Sequence, residues 1–141
     1  MAVKAGTVSF VLVDSAAGTP TNLSSYADNF GWPQTIDTLD VSAFGTSAKA
    51  FINGLTDGDT LPMSGPLDVT LHSHLSNVKA AQAAGSSTTT ITWGPGGSVS
   101  GQPKISAEAW LSSYQITTAV AGRMEYSASW QVTGAVTNGT W

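Results

Sequence analysis

The strictest pattern in the sequence lies near its C-terminal end, where apolar and polar side chains alternate over positions 124–133. One set of alternate positions is apolar: Met124, Tyr126, Ala128, Trp130 and Val132. The set between them is polar and mostly short: Glu125, Ser127, Ser129, Gln131 and Thr133. Because successive side chains of a β-strand point to opposite faces of its sheet, this period of two predicts a long strand with one buried face.

Similar stretches along the rest of the chain predict a mainly β fold. Apolar and β-branched residues bounded by turn residues mark candidate strands at residues 7–14, 22–26, 32–39, 66–72, 88–93 and 105–118. The first of these is apolar almost throughout, which favours burial on both faces. In the last, the alternation shifts around Ser112 and Ser113, which predicts a β-bulge.

The period changes after Ser73, where Leu75, Val78 and Ala81 recur at helical spacing, and Gly85 can end the helix in a left-handed conformation. This is the one helix that the sequence predicts with clarity. The elements together predict a single domain, residues 1–141. Its expected fold is a β-sandwich or β-barrel of about seven or eight strands, with one short α-helix packed on the side and a long ordered loop.

That loop is predicted between about Val41 and Met63, where neither strand nor helix period is present. Structureless connections longer than ~15 residues are uncommon in compact domains and are usually functional or disordered. Four apolar residues favour an ordered loop: Phe44, Phe51, Ile52 and Leu55. A loop of this kind is better suited to docking on another protein surface than to catalysis.

The composition excludes several classes of function. Only 10% of the residues are charged, against a typical ~25%, so much of the surface is expected to be covered in an assembly. The net charge is −4, and the five cations form no cluster, which argues against tight nucleic-acid binding. The chain has no cysteine. No apolar run approaches the ~20 residues of a membrane span, and we expect neither a signal peptide nor a membrane anchor.

Two motifs resemble metal sites but are incomplete. His72 and His74 would share one face of a strand and could contribute to a metal site, although the sequence places no third ligand. Asp57 and Asp59 flank a glycine, yet the remaining acidic positions of a calcium loop are missing, so a turn is the better interpretation. We therefore predict no metal and no cofactor.

Catalysis and sugar binding can be weighed on the acidic and aromatic residues. Glu108 and Glu125 lie on the two neighbouring C-terminal strands and could face each other as a glycosidase pair, but their neighbours are small and polar and do not form the apolar pocket in which a catalytic acid is kept protonated. We predict no enzymatic activity. Trp32 and Trp110 could instead stack on sugars, as in a carbohydrate-binding β-sandwich, although most such rings fill a core or a subunit contact.

Four segments, read in order, resemble the major tail tube proteins of long-tailed bacteriophages. They are TLDVSAFGTSAKAFINGL, PMSGPLDVTL, GQPKISAEAWLSSYQI and MEYSASWQVTGAV. The resemblance implies a structural virion protein whose subunits form hexameric rings, joined sheet to sheet around a lumen and stacked into a tube. It also implies passage of the genome and of the tape-measure protein, contact with tail terminator and tip proteins, and assembly in the host cytoplasm.

The resemblance also assigns residues to two surfaces. Alternation within strands selects the lumen-lining candidates Asp68, Thr70, Glu125, Ser127, Ser129, Gln131 and Thr133. A weakly acidic lumen would repel phosphate, so that DNA slides without binding. The loop over residues 40–63, together with the termini, supplies the ring-stacking candidates Asp40, Phe44, Lys49, Phe51, Ile52, Leu55, Asp57 and Asp59. A carbohydrate-binding module and a capsid decoration protein are the alternatives.

Overall fold

The computed structural model describes residues 6–45, 47–57, 59–85 and 88–141. Within these ranges the chain forms one α-helix, α1 (Val69–Ala83), and two short 3-10 helices, Gly6–Val8 and Ser24–Tyr26. The strands are β1 (Phe10–Asp14), β2 (Pro20–Asn22), β3 (Asn29–Phe30), β4 (Thr35–Asp40), β5 (Phe51–Asp57), β6 (Thr60–Pro66), β7 (Thr89–Gly94), β8 (Pro103–Thr117) and β9 (Glu125–Thr140). The mainly β fold with one short helix is confirmed.

Seven strands form one antiparallel sheet in the order β2-β1-β7-β8-β9-β6-β3, and β4 pairs with β5 in a separate hairpin. The large sheet curls over its apolar face, which brings Phe30 of edge strand β3 to 5.2 Å from Trp93 of β7, measured between ring centroids. The two edge strands do not pair with each other. The sheet is therefore an open barrel.

The core lies inside this curl, between the sheet and α1. The strict alternation of β9 is confirmed, since Tyr126, Ala128, Trp130 and Val132 are all buried, whereas Met124 precedes the strand and is exposed. The helix contributes a buried stripe of Leu71, Leu75 and Val78. The strands and loops around it contribute Val11, Val13, Leu23, Trp32, Leu61, Met63, Ile91, Ala107 and Ala109.

The predicted bulge in β8 is confirmed. The pairing of β8 with β9 shifts between Leu111 and Ser113, and it shifts a second time between Ser106 and Glu108. A bulge places two residues of one strand opposite one residue of its partner and bends the strand. These two irregularities accompany the curl of the sheet over its core.

The predicted strand at residues 66–72 is wrong. The strand in this region is β6, which ends at Pro66, and α1 begins only three residues later at Val69. Asp68 has extended backbone angles, and its carboxylate accepts a hydrogen bond from the N–H of Thr70 at 2.9 Å, which makes it the helix N-cap. Leu71 therefore belongs to the helical stripe, and its alternation with Leu67 and Val69 is coincidental.

The long loop predicted over residues 40–63 is mostly regular structure. It consists of the end of β4, a connection at residues 41–50, all of β5 and the first half of β6. The connection closes with a hydrogen bond from the N–H of Val41 to the carbonyl of Ala50, 2.9 Å long. Every residue of β4 is exposed, so neither face of the hairpin needs to be apolar and no period of two is imposed on its sequence.

Three predictions near the N-terminal end are also wrong in detail. Residues 7–8 lie in a 3-10 helix, so β1 starts at Phe10, and its buried residues Val11 and Val13 share a single face. Residues 24–26 form a 3-10 helix because Asn22 accepts a hydrogen bond from the N–H of Ser24 and turns the chain. Residues 32–34 are not in a strand, and β4 begins at Thr35.

Candidate functional site

The first candidate surface is the outer side of the curled sheet, opposite the core, which we name the polar face. Its centre is β9, where Glu125, Ser127, Gln131 and Thr133 are exposed and Ser129 is half-buried. The register places polar residues beside them on both neighbouring strands, since Ser127 pairs with Ser64 of β6 and with Gln115 of β8. The five candidates on β9 therefore share one face of the strand, while their lumen role stays a prediction.

Hydrogen bonds hold the carboxylates of this surface in place. Arg123 donates to Glu125 at 2.9 Å and also contacts Asp28. Glu108 accepts hydrogen bonds from the hydroxyls of Thr88 at 2.7 Å and Thr90 at 2.5 Å. Because the charge of Glu125 is partly compensated by Arg123, the β9 part of the polar face is only weakly acidic.

Asp68 and Thr70 lie outside the β9 row. Pro66 pairs with Glu125, and the N–H of Leu67 donates to the carbonyl of Met124 at 3.0 Å, after which the chain leaves the sheet for α1. Their selection rested on the alternation of a strand that does not exist here. Strand geometry therefore gives no support to a lumen role for Asp68 and Thr70. Both residues do lie near the Glu125 end of β9.

The second surface is the β4-β5 hairpin with its connection, which we name the hairpin. Seven of its apolar side chains are exposed: Ile36, Leu39, Val41, Phe44, Phe51, Ile52 and Leu55. The exposed fraction reaches 109% for Phe44 and 84% for Leu55. The register divides them between the two faces of the hairpin, because Leu39 pairs with Ile52 whereas Phe51 pairs with Asp40. Exposed apolar side chains gathered on one element are typical of a contact with another protein surface. Lys49 is exposed at the connection and is the hairpin's only cation.

The acidic candidates of this region order its backbone. Asp40 accepts a hydrogen bond from the N–H of Ser42 at 2.9 Å, and its bonds with the backbone and side chain of Ser42 lower the pKa of Asp40. Asp57 accepts from the N–H of Asp59, whose φ of 58° is left-handed. Asp59 joins the hairpin to the body, because it accepts from the hydroxyl of Thr35 at 2.8 Å and its carbonyl accepts from Val132.

A third surface, which sequence reasoning missed, lies at the end of the sheet beside the start of α1. It is a recess of about 430 Å³, which we name the end pocket, lined by Leu67, Asp68, Val69, His72, Ile116 and Met124. Val69 is 81% exposed, and Met124 and Ile116 are also exposed. The lining residues come from three separate parts of the chain, so no local pattern could have marked them.

The two histidines do not share one face of a strand. Both lie on α1, where residues two positions apart project to different sides. The Nδ1 atom of His72 lies 3.0 Å from the hydroxyl of Tyr114, whereas His74 is half-buried against Asp14 and its burial lowers its pKa. Among the described residues, no group of three His, Cys, Asp or Glu side chains could hold a metal ion.

The glycosidase pair and the sugar platform are not assembled either. Glu108 pairs with Thr133, whereas Glu125 pairs with Thr117, so the two carboxylates are about 26 Å apart along the strands. Trp32 is buried in the core and Trp110 is 38% exposed. No helix in the described ranges has the length and apolar character required to cross a membrane.

The fold is therefore an open β-barrel that leaves an apolar hairpin and an apolar pocket uncovered. Uncovered apolar surfaces of this kind are typical of proteins that assemble with other chains. No protein-family model and no curated protein sequence matches the chain.

Solved structures do match it. A chain in the virion of a native gene transfer agent particle aligns over 97% of this chain and 99% of its own length, with a TM-score of 0.74 and 10% identity. A chain in the tail of an empty gene transfer agent particle, which has C6 symmetry, aligns over 96% of this chain and 98% of its own length, with a TM-score of 0.74 and 11% identity. The SPP1 tail tube aligns over 99% of this chain and 80% of its own, with a TM-score of 0.73 and 16% identity. The chain therefore has a tail tube fold, and the resemblance seen in the sequence is confirmed at the level of fold.

Proposed function

We propose that this chain is a structural subunit of a tail tube, in which copies form hexameric rings that stack into a hollow tube. The observation that carries the proposal is the alignment over nearly the whole chain with a tail of C6 symmetry and with the SPP1 tail tube. The exposed hairpin and end pocket support it independently, because a free monomer gains nothing from two uncovered apolar surfaces.

In this proposal the tube belongs to a virion tail and is assembled in the host cytoplasm. It conducts the genome, encloses a tape-measure protein during assembly, and meets terminator and tip proteins at its ends. The subunit's role is structural rather than catalytic.

The polar face lines the lumen in this arrangement. Its β9 row carries serine, threonine and glutamine with one paired carboxylate and no cation, so it offers phosphate groups no strong electrostatic partner. The hairpin lies between subunits, where its apolar side chains are removed from water. The ring-stacking role of Asp40, Phe44, Lys49, Phe51, Ile52, Leu55, Asp57 and Asp59 belongs to this proposal.

Negative-stain electron microscopy and light scattering of the purified protein over a range of concentrations test the function. We expect rings or tubes with a central hole, whose population increases with concentration. A protein that stays monomeric up to millimolar concentration, also in the presence of a crowding agent, would contradict the proposal.

A heavy-atom thiol label tests which surface lines the hole. Because the natural chain has no cysteine, Ser127→Cys on the polar face and Lys79→Cys on the exposed side of α1 each carry a single label. We expect the Ser127 label on the inner wall of the tube and the Lys79 label away from it. The reverse placement would refute the lumen assignment while leaving the tube intact.

A further inference from the structure

The base of the hairpin and the end pocket lie near opposite ends of the β9 segment that runs from Glu125 to Asn138. The base of the hairpin is joined to the body beside the second half of β9, where Gln34 and Asn138 exchange side-chain hydrogen bonds of 3.1 Å. A groove lined by Thr35, Asp57 and Gly134 marks the same junction. The end pocket lies beside Glu125, so about 30 Å of strand separates it from Gly134. Phe44 in the hairpin connection is fully exposed, so it does not occupy the end pocket of its own copy. The connection and the pocket can therefore meet between copies, in a head-to-tail contact.

The end pocket is an apolar recess with an acidic rim. Val69, Ile116 and Met124 supply its exposed apolar lining, and Asp68 lies beside them. The Asp68 carboxylate is exposed, accepts a hydrogen bond from the N–H of Thr70, and makes no ion pair with any residue in the described ranges. A fitting partner therefore presents an apolar side chain together with a cation.

The connection of the hairpin presents this combination. Phe44 is fully exposed within it, and Lys49 is its only charged residue. Lys49 makes no ion pair with the described part of the chain. The remaining charges of the hairpin, Asp37, Asp40 and Asp57, lie on its strands and have the wrong sign for the rim.

We propose that the hairpin connection of a second copy docks in the end pocket, with Phe44 against Val69, Ile116 and Met124 and with Lys49 facing Asp68. This proposal rests on the proposed function, because it names the acceptor surface of the contact between stacked subunits. The contact is heterologous: each copy donates its hairpin at one end and accepts a hairpin at the other, so the contact repeats along a stack without closing on itself.

Disulfide trapping tests the contact. The variants Phe44→Cys and Val69→Cys are prepared separately, mixed, assembled and oxidised, so that a covalent dimer can form only between copies. A matched control replaces Val69→Cys with Val99→Cys, which alters an equally apolar valine that is also exposed, in the connection between β7 and β8. We expect the 44–69 mixture to give at least tenfold more dimer than the 44–99 mixture or than Phe44→Cys alone.

The outcomes separate this proposal from the function on which it rests. Tubes that form normally while the 44–69 dimer stays at the level of the 44–99 control would overturn the docking contact and leave the tube function standing. Wild-type protein that never assembles would overturn both.

The charge pair has its own test, which keeps the helix cap intact. Asp68→Asn removes the charge, and asparagine caps a helix as well as aspartate does. We expect Asp68→Asn and Lys49→Gln each to raise the concentration needed for assembly roughly two- to fivefold. In the double variant the second change should add almost nothing, because the pair is already broken. Two independent, additive losses would contradict the pairing.

Discussion

At the scale of single residues, position in the sheet decides what a side chain contributes. Trp110 and Trp130 lie on adjacent strands, where Trp110 pairs with Gln131 and Trp130 pairs with Leu111. Trp130 points into the core and has no exposed surface, whereas Trp110 points to the polar face and is partly exposed. A shift of one residue in β-strand register would exchange their surroundings.

Replacing the two tryptophans should therefore have very different effects on the monomer. We expect Trp130→Ala to lower the free energy of unfolding by about 3–5 kcal/mol, because it removes a fully buried ring and leaves a cavity. Trp110→Ala should cost less than about 1 kcal/mol. Urea denaturation followed by circular dichroism measures both, and equal losses would contradict the assignment of the two faces.

His74 predicts a pH dependence of stability. Burial lowers the pKa of His74 in the folded state. A hydrogen bond with the Asp14 backbone and the charge of Asp14 both raise this pKa, but their effect is smaller than that of burial. The unfolded chain therefore binds a proton at higher pH than the folded chain does. The stability due to neutral His74 is fully present above the unfolded pKa of about 6.5 and is lost as the pH falls below it.

We expect His74→Gln to flatten the loss of thermal stability between about pH 7.5 and pH 5.5. His72→Gln is the matched control on the same helix, since His72 is exposed. Melting temperatures measured across this range decide the matter. A His74→Gln profile as steep as that of the wild type would show that another group causes the slope.

At the scale of elements, the hairpin separates folding from assembly. All of β4 is exposed, and none of the buried core residues comes from β4, β5 or the described residues of their connection. The body of the domain therefore does not depend on the hairpin's apolar side chains. Their burial contributes free energy only when another surface covers them.

Shortening the hairpin tests this separation. Replacing residues 42–49 with Asn-Gly, which favours a two-residue turn, should change the free energy of unfolding by no more than about 1 kcal/mol while abolishing tube formation. Val99→Ser serves as a control that should still assemble. Electron microscopy and urea denaturation together give the answer, and normal tubes from the shortened chain would exclude the hairpin from assembly.

At the scale of the whole molecule, charge is sparse and its distribution matters more than its total. The five cations include Arg123, which is engaged with Asp28 and Glu125, and Lys79, which lies on α1 away from the polar face. In the proposed tube, the row from Ser127 to Thr133 offers DNA no cation, which permits sliding.

Adding cations to the polar face should convert sliding into binding. We expect tubes of Ser127→Lys or Gln131→Lys, assembled with a short fluorescent duplex, to retain DNA at about 50 mM salt and to lose most of it at about 200 mM. Wild-type tubes should retain little. Asn77→Lys adds the same charge on α1 and should behave as the wild type, and equal retention by this control would place the polar face outside the lumen.

The sequence by itself determined the parts whose signal is local. The alternation in β9, the bulge near Ser112 and the existence of α1 could be predicted, because a buried face imposes a period on neighbouring residues. The same argument identified the polar face on β9. It also explains the two main failures. The exposed hairpin has no buried face, so no period marked its strands. The apparent alternation at residues 66–72 was accidental, and these residues instead include the Asp68 cap and the first turn of α1.

Only the tertiary structure decided which surfaces remain uncovered. The end pocket brings together Val69, Ile116 and Met124, which are distant in the sequence. They meet because β8 ends, and β9 and α1 begin, at the same end of the sheet. The separation of Glu108 from Glu125 likewise depends on strand register. The sequence could mark Phe44, Phe51, Ile52 and Leu55 as apolar residues of a docking segment, because they lie close together in the chain. It could not mark the end pocket, whose lining residues meet only after the chain folds.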